Sequence, residues 1–268
     1  MAKAKPSASQ SKALVSYQDR LAGLSQTARG AEAHVATGKF ISCRGGRFSI
    51  GGNLVQGDSI DCVVVAHALE NHYYTTEYDA DNPTSPDCFS FGLKESEMQP
   101  HPDCESPQAD ACKDCPQNKF GTAARGRGKA CGNIRRLGII LMDDIGNVAD
   151  AEILYLKVPV TSVGAWAQHV TKLAAMELPP LGVVTRISIA PDAKTQFRLG
   201  FSAVEKVEDV ADIDVNETMN ALLDRYEAVY GDLTKPYPKN EERAPAAPAQ
   251  KMNAKLAGGR TPVKPTRR

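Results

Sequence analysis

Apolar positions along this chain fall into two rhythms, and the switch between them marks out the elements. SIDCVVVAHAL, Ser59–Leu69, is an unbroken β-branched run, the pattern of a strand buried on both faces. Before it, Phe40–Cys43 and Arg47–Ile50 flank Arg44-Gly45-Gly46 and predict a hairpin. After it, the Tyr- and Thr-rich Asn71–Asp79 predicts a further strand. Period-2 runs return at Arg135–Met142, Glu152–Val160, Gly182–Ala190 and Thr195–Val207. Two segments keep the helical period. In Thr161–Pro180, Val163, Trp166, Val170 and Leu173 share one face, with Thr161 or Ser162 as N-cap and Pro179-Pro180 as stop. In Val215–Leu233 the stripe is Met219, Leu222, Leu223, Tyr226 and Tyr230, with Gly231 as the expected end. A shorter helix is expected at Lys12–Leu24.

Strands, one helix, then two more strands is the order of a small Greek-key barrel, the OB-fold, whose helix lies between its third and fourth strands. The expected class is therefore mainly β with helices, α+β: an OB-fold-like barrel with a C-terminal helix. Residues 13–234 would form this domain. Residues 1–12, rich in Ala, Ser and Lys, read as a disordered N-terminus. Residues 235–268, proline-rich with nine basic residues and two acids, read as a disordered basic tail. Residues 82–131 have almost no periodicity, and a structureless loop of that length is foreign to a compact domain. A metal-held insertion would explain it.

Composition narrows the class. At 268 residues and 42% hydrophobic content the chain can bury one sizeable core. Formal net charge is zero, so any attraction to nucleic acid must be local. No apolar run approaches the about 20 residues of a membrane-spanning helix, and no apolar stretch follows Lys3 and Lys5 as in a secretory leader. The expected location is cytoplasmic, and seven cysteines there point to metal or free thiols rather than disulfides.

Most of those cysteines fall in one region. ACKDCPQNKFGTAARGRGKACGNIRRLGII, Ala111–Ile140, holds three cysteines, five glycines, seven basic side chains and one acid, Asp114. Cys112-x2-Cys115 is a metal knuckle, and Cys131 lies at the usual distance for the second half of a zinc site. A structural zinc takes four ligands. PDCFS and PDCES offer Cys88 and Cys104 in nearly the same setting, and His101 is a weaker option. Cys43 and Cys62 sit in strand patterns and read as small buried hydrophobes.

Catalysis finds little support. The H-x-E partner of a zinc deaminase is missing. AARGRGKA has Ala123 and Ala130 where a phosphate loop needs Gly and Ser/Thr. Pro116 after the knuckle does not open the helix of a thioredoxin-type site. Binding fits better. Lys119, Arg125, Arg127, Lys129, Arg135 and Arg136 lie in or beside the cysteine loop, and glycines let backbone amides approach phosphate oxygens. Tyr73, Tyr74, Tyr78, Phe89, Phe91 and Phe120 are within reach in sequence, whereas Phe40, Phe48, Trp166, Phe197 and Phe201 read as core. A cationic groove with stacking rings is the general means of holding single-stranded nucleic acid.

The run from Pro86 to Leu137 resembles a group of phage-encoded proteins marked by P-x-C-(F/W)-(S/A), then C-x2-C-P-x-N-x-(F/W)-G-(S/T), then G-(R/K)-G-K-x-C and an R-L strand. The order of elements is similar from Phe40 to Val207. The resemblance implies single-stranded-DNA binding in phage replication or recombination, in the host cytoplasm. It places zinc on Cys88, Cys112, Cys115 and Cys131 and leaves Cys104 as an extra. It departs from many single-strand binders in its tail, which is basic where theirs is acidic.

The expectation is thus a non-enzymatic DNA-binding module. Lys119, Arg125, Arg127, Lys129 and Arg135 would meet phosphates, and Tyr73, Tyr74, Phe89 and Phe91 are the stacking candidates. Tyr73 and Tyr74 point to opposite strand faces, so at most one should stack and the other be core. Replication or recombination proteins are the expected partners besides DNA. The competing readings are a zinc-stabilised protein–protein adaptor or structural phage protein, and a Mg-dependent nuclease using Asp143 and Asp144.

Overall fold

A computed structural model describes residues 40–76, 84–124 and 126–237. The Lys12–Leu24 helix, Tyr78, Arg125, the N-terminal segment and the tail beyond Tyr237 lie outside them. Nine strands and two α-helices are described: β1 Phe40–Ser42, β2 Ser49–Ile50, β3 Asn53–Leu54, β4 Ser59–Tyr73, β5 Cys88–Gly92, β6 Gly132–Leu141, β7 Leu154–Val158, α1 Val160–Ala174, β8 Val183–Asp192, β9 Gln196–Lys206 and α2 Val215–Leu233. The fold is mainly β with helices, as the pattern predicts. The sheet runs β3-β2-β1-β7-β6-β4-β8-β9, and β5 pairs with β4. β1 and β7 are parallel, whereas β1–β2, β2–β3, β4–β8, β6–β7 and β8–β9 are antiparallel.

The chain forms two compact units. Among the described residues one takes 40–70, 91–95 and 132–235, and the other takes 71–76, 84–90, 96–124, 126–131 and 236–237. The first holds the hydrophobic core, and strand parity divides that core in two. Cys62 and Val64 of β4 join Leu137 and Ile139 of β6, Leu156 of β7 and Trp166 of α1. Val63 and Val65 point the other way and join Ile140 with Leu222, Val229 and Leu233 of α2. Cys62–Ala66 has apolar neighbours on both faces, which is why this middle stretch of β4 shows no alternation. At Gly138 an added Cβ would run into Val229, so α2 lies directly on β6 there.

Several elements depart from the sequence pattern. No separate strand begins at Asn71; β4 continues unbroken to Tyr73. The cysteine-rich segment contains a strand, β5, where none is expected. The N-cap of α1 is Pro159, without a side-chain cap, and α1 closes beyond Ala174 through Glu177 at φ 57. Gly231 does not end α2, which runs on to bury Leu233; its Leu223 is exposed. Asp214 caps α2 by accepting from the Glu217 amide at 3.0 Å. Phe48 and Trp166 are core as expected, but Phe40 is 56% exposed. Its strand is three residues long, and only Ile41 between its neighbours is buried.

One buried charge needs its partner. Glu70 is fully buried and pairs with Nε of Arg136. Arg136 also donates from Nη1 to the Leu233 carbonyl at 2.8 Å and lies 4.4 Å over the Phe91 ring. Cation, acid, ring and helix terminus are fastened together.

Candidate metal centre and nucleic-acid interface

In the smaller unit, the last residues of β4 and the first of β5 carry the chain into a small cavity of about 20 Å³, lined by Cys88, Cys112, Cys115 and Cys131 together with Tyr73 and Asn118. That volume admits a single water- or ion-sized occupant. Residues far apart in sequence, from 71 to 131, thus line one cavity. As placed, no three Cys, His, Asp or Glu side chains among the described residues stand close enough to hold a metal ion. The sulfurs take hydrogen bonds instead: Cys112 Sγ donates to Ser90 Oγ at 3.1 Å.

Burial and neighbouring thiols oppose ionisation of Cys131 and Cys88. Burial pushes Cys131 up to about 12, aided by Cys115, Cys112 and Cys88, while Lys129 works the other way. Burial likewise raises Cys88 to about 11, with the Gln108 main chain opposing and Cys104 and Cys112 adding to it. A cation in this cavity would supply the charge that compensates thiolates at Cys88 and Cys131. The donor set, all sulfur, suits zinc.

Cys104 lies beside Cys88, to whose side chain it hydrogen-bonds, but it and His101 have further partners. Cys104 Sγ donates to the Phe89 carbonyl and accepts the Phe89 amide, both at 3.1 Å. His101 stacks on Phe89 at 5.2 Å between centroids, and its Nδ1 accepts the Asp103 amide at 3.1 Å. Neither lines the cavity.

Above the cysteines the chain makes a tight loop. The Cys131 amide donates to the Gln117 carbonyl and the Gly121 amide to the Gly128 carbonyl, both at 2.9 Å. Thr122 Oγ1 donates to the Lys119 carbonyl at 2.7 Å and accepts the Ala130 amide at 3.0 Å. Asn118 Nδ2 ties the loop to the knuckle through the Cys112 carbonyl at 2.9 Å. Gly121 and Gly126, at φ 88 and 79, make the turns that a side-chain-bearing residue resists. At the tip Phe120 is 81% exposed, with Lys129 Nζ 5.3 Å from its ring centre.

The predicted contacts therefore sort into groups. Lys119 and Arg127 are exposed on this loop. Lys129 is half-buried and acts as a strut, donating to Asn118 Oδ1 at 3.0 Å as well as lying over Phe120. Arg135 belongs to the other unit, half-buried, with Nη1 donating to the Ile134 carbonyl at 2.9 Å. Two aromatic expectations are corrected. Phe89 is 3% exposed beneath His101 and Tyr237 and has no face to offer a base. Phe91 is half-buried against the Arg136 guanidinium. Tyr73 and Tyr74 are both half-buried, so neither is the full core residue that strand parity predicts; Tyr73 faces the cysteine cavity and Tyr74 meets His72 edge-on at 5.8 Å. Phe120 is the aromatic missing from the expected stacking set. Its place among four glycines and six cations of the loop region was the available signal. Asp143 and Asp144 are exposed at the start of a 3-10 turn.

No family model, no curated protein and no solved structure matches the chain. Its own geometry and chemistry carry the functional argument.

Proposed function

We propose that this protein is a phage-encoded, zinc-stabilised single-stranded-DNA-binding protein that acts in replication or recombination by binding rather than by catalysis. The observation that carries the reading is the loop Lys119–Lys129: closed by its own hydrogen bonds, footed on four cysteines that line one cavity, and holding Phe120 into solvent beside exposed Lys119 and Arg127. Cys88, Cys112, Cys115 and Cys131 would hold the zinc, which supplies a structural cross-link. Lys119 and Arg127 neutralise phosphates, and Phe120 offers a ring face to a base. Because the loop is already hydrogen-bonded, little ordering cost falls on binding.

The order of elements supports an OB-like barrel for the larger unit. β4, β6 and β7 are successive neighbours in the sheet, α1 follows in the chain, then β8 returns to pair with β4 and β9 follows. The cysteine unit is inserted between the first and second of these strands, a loop position that OB-folds use to contact oligonucleotides.

A gel-shift panel of single- and double-stranded DNA and RNA at two salt concentrations tests the reading. Single-stranded DNA should be retained best, and its affinity should fall with salt by roughly 0.7 in log–log slope for each phosphate neutralised. Absence of binding to every nucleic acid at low salt would leave the adaptor reading in its place.

A further inference from the structure

The larger unit has a feature of its own that the cysteine loop does not use. An open groove of about 570 Å³ lies between the end of β1, the Arg44–Gly46 turn, the end of β7 and the start of β9. Ser42, Cys43, Gly45, Lys157, Gln196 and Phe197 line it. Its size falls within the about 300–1,000 Å³ of small-molecule sites. Its lining contains one cation, Lys157, and no carboxylate; burial holds that lysine below its ordinary value, with Glu70 nearby opposing the shift and Arg136 adding to it. Burial keeps the Cys43 thiol neutral, its pKa raised to about 11, so that wall adds no negative charge.

The surroundings continue the same chemistry. Phe40, on the same β1, is exposed and packs on Tyr155 at 5.7 Å between centroids. Tyr155 is held in turn, its hydroxyl donating to Asp232 Oδ2 at 2.7 Å, so Phe40 rests on an anchored ring. Arg47 and Lys194 are exposed on the two adjoining turns. The nearest turn acid is occupied: Asp192 Oδ1 accepts the amides of Lys194 and Thr195 at 2.9 Å, and Oδ2 meets Arg198 at 2.8 Å. Those bonds set the turn that leads to Gln196, which sits at φ 70, a left-handed conformation that side-chain-bearing residues seldom adopt. Gly45 and Gly46 are also left-handed, and an added Cβ at either would touch nothing within 4 Å, so the turn's backbone faces open space. A ring platform, a lysine, an amide and a hydroxyl around an open groove with no carboxylate in its lining match the parts of one nucleotide: base, phosphate and sugar edge.

We infer that this groove, together with the Phe40 ring on the same strand, is a second single-strand contact: Phe40 stacks a base, Lys157 meets a phosphate, and Gln196 and Ser42 hydrogen-bond to base or sugar. The inference rests on the single-strand reading above and assigns it a site in the larger unit, so that binding is bipartite.

The test uses the full chain and fluorescence anisotropy with labelled (dT)12 at two salt concentrations. Phe40→Ala should weaken binding roughly 5- to 150-fold, the range of one lost stacking contact. Lys157→Ala should lower the salt slope by about 0.7. Phe120→Ala serves as the comparison for the loop. Circular dichroism checks each fold. If Phe40→Ala fails to fold, (dT)12 carrying 5-bromodeoxyuridine decides by photo-crosslinking, with adducts expected in peptides spanning 40–47 or 194–197. If the wild type binds while Phe40→Ala and Lys157→Ala bind equally well, or crosslinks fall only in 117–131, the groove is no contact and the loop reading survives. If the wild type does not bind (dT)12, both fall together.

Discussion

Arg136 shows how one side chain can be read as a ligand contact from sequence and prove to be a fastening. It sits in a basic run beside the cysteine loop, yet its guanidinium is spent on buried Glu70, the Leu233 carbonyl and the Phe91 ring. Removing it strands a carboxylate that has no access to water. Arg136→Ala should cost about 3–5 kcal/mol in urea denaturation, and Arg136→Lys should recover only part of that, since an ammonium cannot serve acid and carbonyl in one plane. A loss below about 1 kcal/mol would mean that Glu70 is protonated in the fold. Histidines give a pH dependence at the same scale. Burial holds His169 below its ordinary value, with Lys172 adding to it, and burial holds His67 down with Arg135 adding to it. The unfolded chain therefore binds more protons than the fold once pH drops past about 6.5. The part of stability set by these two histidines should be level above that pH and fall below it. His169→Gln, which can keep a bond to Thr185, should make the urea midpoint less sensitive between pH 7 and pH 5.

At the scale of elements, what could be read from sequence was whatever one strand or helix decides alone. β4, β6, β8 and β9 announce themselves because apolar neighbours on one or both faces impose a pattern on each. Three features escape this logic. PDCFS and PDCES are nearly the same words, and only folding puts Cys88 on the cavity while Cys104 bonds to the Phe89 main chain. Phe89 and Phe91 share a strand face by parity, yet one lies under His101 and the other under Arg136, partners far away in sequence. Phe40 belongs to a strand too short to show a period. The first of these can be settled by metal content. On the zinc reading, Cys88→Ser, Cys112→Ser and Cys131→Ser should each lose the metal, measured as zinc per chain, whereas Cys104→Ser should keep it. Retention by Cys88→Ser together with loss by Cys104→Ser would move the fourth ligand to Cys104.

For the whole molecule, the order of strands in space departs widely from their order in the chain. β8 and β9 form a hairpin with ten paired positions around one short turn. β1 instead pairs in parallel with β7, Phe40 opposite Tyr155 and Ile41 opposite Leu156. The first pairing closes almost no loop, while the second must close one of more than a hundred residues for two register positions. Assembly should therefore begin at the hairpin and finish at β1, and departure should run in reverse. Native-state hydrogen exchange should find the amides of Ile41 and Ser42 opening at far lower cost than those of Ile187 and Leu199. Equal protection at both places would show that β1 docks as part of the central cooperative unit. If β1 is the latch that closes last, the platform carrying Phe40 exists only part of the time, and anything that grips it must first wait for, and then prolong, its closed interval.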